Sequence, residues 1–70
     1  MHAQILVEAA RNTNTCDGLL DKLMTVITLG KQHECKRETV EFALRVVVND
    51  YPKLKNSYKN TLVNTYLRRY

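Results

Sequence analysis

The sequence predicts an all-α fold: a small compact bundle of about four short helices, with the third helix at its centre. Apolar residues recur at helical spacing in four segments, and polar or glycine-containing stretches separate those segments. In addition, a chain of 70 residues of which 44% are hydrophobic has the material for one small core. We therefore expect residues 1–70 to form a single helical domain.

The first two helices are predicted in the N-terminal half of the chain. Segment 2–12 has the spacing of a short helix, and residues 12–15 are typical of a loop. The second helix is expected to follow Asp17, a residue suited to the N-cap, and to stop at Gly30. The β-branched run 25–28 would also suit a strand, but the helical spacing outweighs it. The apolar stripes of the two helices are Ile5, Leu6, Ala9 and Ala10, and Leu19, Leu20, Leu23, Val26 and Ile27.

The third segment, about residues 35–50, has the strongest helical pattern and ends before Pro52. Phe42, Val46 and Cys35 form a second apolar stripe on its opposite side. A helix with two apolar sides either lies centrally in the domain or presents one stripe to a second copy of the chain, so Phe42 and Val46 are candidates for a homodimer interface. The main stripe is Val40, Ala43, Leu44, Val47 and Tyr51, and the narrow polar strip is Glu38, Glu41, Arg45 and Asn49.

The fourth helix is predicted from about Lys53 to Arg69. Its outer face is uncharged for most of its length, although Lys and Glu form helices better than the Asn and Thr that stand there. Helix propensity therefore does not explain this face. The apolar face is Tyr58, Leu62, Val63, Tyr66, Leu67 and Tyr70, and the outer face is Ser57, Asn60, Thr61, Asn64, Thr65 and Arg68.

Positive charge is concentrated at the C-terminal end of the chain. Residues 1–50 contain six basic and seven acidic groups, whereas residues 51–70 contain five basic groups and no acidic one. This asymmetry favours an anionic partner, either nucleic acid or an acidic protein surface. Lysine and arginine contact phosphates, and asparagine bonds to base edges. The candidate binding residues are Lys53, Lys55, Lys59, Asn60, Asn64, Arg68 and Arg69.

Two functions remain open on this sequence. The first is a small non-enzymatic protein that binds nucleic acid through its basic C-terminal helix, with Tyr58, Tyr66 and Tyr70 either stacking on bases or anchoring the core. The second is a protein-binding adaptor or inhibitor, of the kind by which a virus or mobile element blocks a host factor. Its interface would be the fourth helix or the stripe with Phe42.

We expect no catalysis, no cofactor and no metal. Cys35, His33 and Glu34 are residue types of a nucleophilic site, but neighbours in sequence rarely meet in the required geometry. Cys16, His33 and Cys35 lack the paired spacing of zinc ligands, and both cysteines are expected to be reduced. There is no basic leader before an apolar run and no apolar stretch of about 20 residues, so we expect a soluble, cytoplasmic protein without membrane contact.

Overall fold

The computed structural model describes residues 2–13 and 18–70, which form four α-helices and no strand. The all-α prediction is confirmed, and the β-branched run 25–28 is helical. The Cα radius of gyration is 10.8 Å, close to the value of about 11 Å expected for a folded chain of this length. The helices are α1 (His2–Arg11), α2 (Leu19–Gln32), α3 (Arg37–Asn49) and α4 (Asn56–Leu67).

Helix α3 packs against each of the other three helices, as the sequence predicts for a central helix, and α2 does so as well, although its packing against α4 is the least extensive. Helix α1 packs on α2 and α3, and α4 packs on α3 and α2. The buried side chains of all four helices form one hydrophobic cluster. The buried face of α3 comprises Val40, Ala43, Leu44, Val47 and Val48, none of them more than 2% exposed.

Three side chains on the predicted apolar faces of the helices are exposed instead. Ile5 is 51% exposed, because the buried residues of α1 are Ala3, Leu6, Val7 and Ala10, whose arc is centred about 150° round the helix from Ile5. Leu20 is 48% exposed on the first turn of α2. Tyr58 is 50% exposed on the first turn of α4, whose buried face begins only at Leu62.

The predicted stop of α2 at Gly30 is wrong. The helix continues to Gln32. The left-handed position that ends it is Glu34, with φ of 52°. The Cys35 amide donates to the Gly30 carbonyl at 2.9 Å and the Glu34 amide to the Lys31 carbonyl at 3.2 Å, which is the pattern of a Schellman C-cap. The helix therefore ends two residues beyond Gly30, and the left-handed residue of its C-cap lies four residues beyond Gly30.

Gly30 is instead a packing position inside α2. A Cβ atom there would lie 2.8 Å from Cγ2 of Val40 and 3.1 Å from Cε1 of Tyr70. The Tyr70 hydroxyl donates to the Gly30 carbonyl at 3.2 Å and also to the carbonyl of Cys35. Burial raises the pKa of Tyr70 above its usual value. The missing side chain of Gly30 thus lets the Tyr70 ring close over the end of α2.

The start of α2 lies at the edge of the described residues. Asp17, the predicted N-cap, lies outside them, and the residue before α2 is Gly18, with φ of 62°.

An ion pair joins the C-terminal ends of α1 and α3. Arg11, the last residue of α1, donates to both carboxylate oxygens of Asp50 at 2.8 and 2.9 Å. None of the four described helices is long and apolar enough to cross a membrane.

Candidate nucleic-acid interface

The basic residues of the predicted site lie at the two ends of α4 and do not form one patch. Lys53 and Lys55 precede the helix, Lys59 lies at the end of its first turn, and Arg68 and Arg69 follow its last residue. At a rise of about 1.5 Å per residue, the two groups lie about 14 to 20 Å apart along the helix. We refer to Lys53, Lys55 and Lys59 as the lysine group.

The outer face of α4 between these groups is exposed and uncharged, as the sequence predicts. Asn64 and Thr65 lie in this exposed middle. The Thr61 hydroxyl donates to the Ser57 carbonyl at 3.0 Å, so this hydroxyl is already engaged by the helix backbone. On this face, the carboxamide of Asn64 lies outside the groove that α4 forms with α3.

A groove of about 310 Å³, lined mostly by polar residues, lies between α3 and α4 and contains two of the predicted residues, Lys59 and Asn60. Helix α4 also contributes Asn56, its first residue. Two asparagines and a lysine from one helix therefore face the polar strip of α3. The α3 wall consists of Arg45, Val48 and Asn49, with Val48 buried beneath the polar side chains.

The groove holds one paired and one unpaired positive charge. Arg45 donates to Oε2 of Glu41 from Nε at 3.2 Å and from Nη2 at 3.0 Å. Its remaining nitrogen, Nη1, donates to Oδ1 of Asn60 at 3.3 Å, which joins the two helices across the groove. Lys59 is half-buried and takes part in neither of the ion pairs among the described residues. The groove is therefore electropositive, with Arg45 fixed in place.

Arg45, Asn49 and Asn56 are groove residues that sequence reasoning missed. Arg45 and Asn49 stand in the polar strip of α3, and Asn56 stands near the predicted start of the fourth helix. The sequence indicates each polar surface separately. It carries no signal that α3 and α4 would bring the two surfaces together, because periodicity describes one helix at a time.

Lys55 occupies the N-cap position of α4. Its backbone is extended and its side chain makes no capping hydrogen bond. Ser, Thr, Asp or Asn normally caps a helix, and no acidic residue is present in this first turn. The lysine adds its charge to the positive end of the helix dipole. This end of α4 is therefore the more electropositive one.

The other end of α4 is braced against the core. The Arg69 guanidinium lies 4.8 Å from the centre of the Tyr66 ring, and its Nη1 lies 3.5 Å from Sδ of Met24. Tyr66 is buried and Tyr70 is half-buried, so both are core anchors. Of the three tyrosines considered for stacking, only Tyr58 exposes its ring.

The second apolar stripe of α3 is divided by the structure. Val46 and Cys35 are half-buried and pack against the core, whereas Phe42 is 55% exposed. Phe42 and Val46 border a groove of about 320 Å³ between α1 and α3. Its other lining residues are Gln4, Val7, Glu8 and Arg11.

The zinc and nucleophile candidates of the sequence gain no support. Among residues 2–13 and 18–70, no three His, Cys, Asp or Glu side chains lie close enough to share a metal ion. Cys16 lies outside this part of the chain. Cys35 is a half-buried thiol that packs against the core.

Comparison with protein-family models, with curated proteins and with solved structures found no match. Function is therefore inferred from the surfaces of this chain alone. Two of them combine shape with a distinct chemistry: the α3–α4 groove with the lysine group beside it, and the α1–α3 groove beside Phe42.

Proposed function

We propose that the chain binds nucleic acid through the lysine group and the α3–α4 groove. The observation that carries this proposal is the segment 51–70, which has five basic groups and no acidic one and contributes half of the groove's lining residues. Phosphate contacts supply most of the affinity of a nucleic-acid-binding protein, and lysines supply such contacts as mobile point charges. The lysine group then positions the strand, and the groove contacts what the strand presents.

The distribution of charge at the groove supports the same proposal. No carboxylate is among the lining residues of the groove, and Glu41, the acidic partner of Arg45, is already held with two hydrogen bonds. An approaching phosphate therefore meets Lys59 and the lysines before α4 without facing an unpaired acid from segment 51–70. The backbone N–H groups of the first turn of α4 lie on the same side and form the positive end of the helix dipole.

The test is the salt dependence of binding to labelled single-stranded and double-stranded oligonucleotides. Binding should weaken as salt rises, with log K falling by about 0.7 to 0.9 per phosphate contact in log salt. The triple variant K53Q/K55Q/K59Q should bind at least tenfold more weakly at low salt and should show a smaller salt slope.

The matched control is K31Q/K36Q/R37Q, which removes three exposed positive charges near the α2–α3 turn. Both triple variants have the same net charge, so a general charge effect would weaken both equally. Site-specific binding weakens only K53Q/K55Q/K59Q. The proposal is wrong if the wild-type chain binds neither kind of oligonucleotide, or if the two triple variants lose affinity equally.

A second candidate function is protein contact through Phe42, with a second copy of this chain as the partner. An aromatic side chain that is 55% exposed beside a groove of about 320 Å³ suits a two-fold contact, in which each copy places Phe42 in the groove of the other. A domain of this size also has a small core, and pairing adds buried apolar surface. The adaptor or inhibitor function would use the same surface for a different protein.

The molecular mass in solution tests this candidate. Light scattering across a concentration series should give a dimer mass that Phe42→Ser reduces to that of a monomer, with the helical circular dichroism unchanged. Leu20→Ser, which removes a similarly exposed apolar side chain on α2, should leave the dimer intact. A wild-type monomer at every concentration rejects the homodimer.

A further inference from the structure

We infer that the α3–α4 groove takes one unpaired base, so that the ligand is single-stranded nucleic acid. This inference rests on the proposed function and names the ligand class of the same site. The groove volume of about 310 Å³ lies at the lower end of the range for small-ligand pockets. It therefore suits a single flat heterocycle, and the strand on either side of that base runs over the surface.

The chemistry of the groove walls distinguishes a base from a bare phosphate. Phosphate oxygens only accept hydrogen bonds, and cations and N–H groups would be enough to hold them. The groove carries three carboxamides as well, and each carboxamide both donates and accepts. Base edges present donors and acceptors side by side, and asparagine pairs with such an edge through two hydrogen bonds. The three are Asn49, Asn56 and Asn60.

Two of these carboxamides have their hydrogen-bonding capacity available. No hydrogen bond within the described residues engages the side chain of Asn49 or Asn56. Asn60 differs, because its Oδ1 accepts from Arg45, and its Nδ2 group is left to donate. Arg45, which also donates to Glu41, thus orients the amide of Asn60 so that its Nδ2 group can donate to a ligand. The groove thus combines one preset donor with two adaptable amides.

The shape of the site excludes a base pair. In a duplex the base edges are recessed between two phosphate ridges, and a protein reads them with a protruding element. Here the amides line a concave surface between two helices, which only a projecting group can enter. An unstacked base of a single strand projects in this way, and its Watson–Crick edge is open to hydrogen bonds. Lys59, which lines the same groove, lies within reach of the adjoining phosphate.

The test is the anisotropy of labelled homopolymers of about 12 nucleotides, in DNA and in RNA, beside a duplex of the same length. The wild-type chain should bind at least one single-stranded homopolymer about tenfold more tightly than the duplex. The double variant N49A/N56A should lose most of this preference between bases and between strand forms. Its weak, salt-dependent binding to duplex should persist, because the lysine group is unchanged. The DNA and RNA arms show which sugar the strand carries.

The matched control is N12A, which removes an exposed asparagine at the end of α1, away from the groove and from the candidate binding residues. It should keep wild-type affinity and base preference, and thermal melting checks that all variants are folded. Wild-type binding to duplex as tight as to single strands overturns the inference and leaves the proposed function standing. The same holds if N49A/N56A behaves like N12A. Absence of binding to any oligonucleotide overturns both.

Discussion

The ammonium nitrogen of Lys22 lies 3.1 Å from the carbonyl oxygen of Ala10. The same nitrogen donates to the carbonyls of Arg11 at 3.3 Å and Thr13 at 3.2 Å. The last carbonyls of a helix have no partner within the helix, and a cation there also complements the negative end of the helix dipole. A side chain of α2 therefore caps the C-terminal end of α1 with all three of its donors.

Replacing Lys22 by Met should lower the free energy of unfolding by about 1–2 kcal/mol, because Met keeps the aliphatic stem and removes the three hydrogen bonds. Urea unfolding followed by circular dichroism measures the change. Lys31→Met serves as the control, since Lys31 is exposed on the same helix and should change stability by less than about 0.5 kcal/mol. Equal losses in the two variants would show that Lys22 does not act as a cap.

Asp50 should make the chain sensitive to acid. The hydrogen bond from Arg11 holds the pKa of Asp50 below its usual value of 3.8, and the charges of Arg11 and Lys22 act in the same direction while burial opposes them. Since the folded-state pKa is the lower one, the contribution of this pair is fully present above about pH 4 and is lost as the pH falls through the folded-state pKa. Asp50→Asn should be less stable at pH 7 and should lose less stability on acidification. Unfolding midpoints between pH 2 and pH 7 test this, and Arg11→Gln should reproduce the flatter profile.

Glu34→Gly should stabilise the chain by about 0.5–1 kcal/mol. Glu34 is the one non-glycine residue with positive φ among the described residues, and a side chain in the left-handed region crowds its own backbone. Glycine adopts the same conformation without this strain. The control Gln32→Gly, in the last helical turn of α2, should destabilise by up to about 1 kcal/mol. A loss of stability in both variants would contradict the Schellman assignment.

Gly30→Ala should destabilise the chain by about 1–2 kcal/mol, although alanine is the better helix former by about 1 kcal/mol. The added methyl group would lie 2.8 Å from a methyl of the fully buried Val40, which has no room to move. Thermal melting measures the loss. In a Val40→Ala background the same substitution should cost less, because the clash with Cγ2 is gone. If the stability losses of Gly30→Ala and Val40→Ala simply add in the double variant, the explanation by the contact between residues 30 and 40 is wrong.

Lys55→Ser should raise stability and weaken nucleic-acid binding in the same variant. A serine at the N-cap of α4 accepts a hydrogen bond from the first turn, worth about 0.5–1 kcal/mol, and removes one positive charge beside the groove. Lys36, the N-cap of α3, also lacks a capping bond, so Lys36→Ser should give a similar gain in stability. Only Lys55→Ser should lower affinity for oligonucleotides. If Lys55→Ser binds oligonucleotides as tightly as Lys36→Ser does, Lys55 is not part of the binding surface.

Helical spacing predicted the elements well because each helix buries a continuous arc. Val40, Ala43, Leu44 and Val47 define that arc on α3, and all four are fully buried. Spacing fixes the rotation of a helix less well, since the buried arc depends on which neighbours pack against it. This is why Ile5 of α1 is exposed in the structure.

Two features could not be read from the sequence for different reasons. The end of α2 depends on a left-handed residue, and Glu34 carries no preference for that conformation, whereas Gly30 carries a misleading one. The groove depends on the juxtaposition of Arg45 and Asn60, which stand 15 residues apart and belong to helices whose relative placement only the packed core decides. The residue types of the two helices predicted that the groove would be lined by polar side chains, but only the packing of α4 on α3 determined where the groove lies.

The contact between Gly30, Val40 and Tyr70 also restricts how this chain can evolve. These positions lie far apart in the sequence, yet the space that one leaves empty is the space that the other two occupy. A drift to alanine at position 30 is therefore tolerated only in a lineage that has already acquired a smaller residue at position 40 or 70. Such substitutions should appear in that order, and glycine should persist wherever valine and tyrosine do.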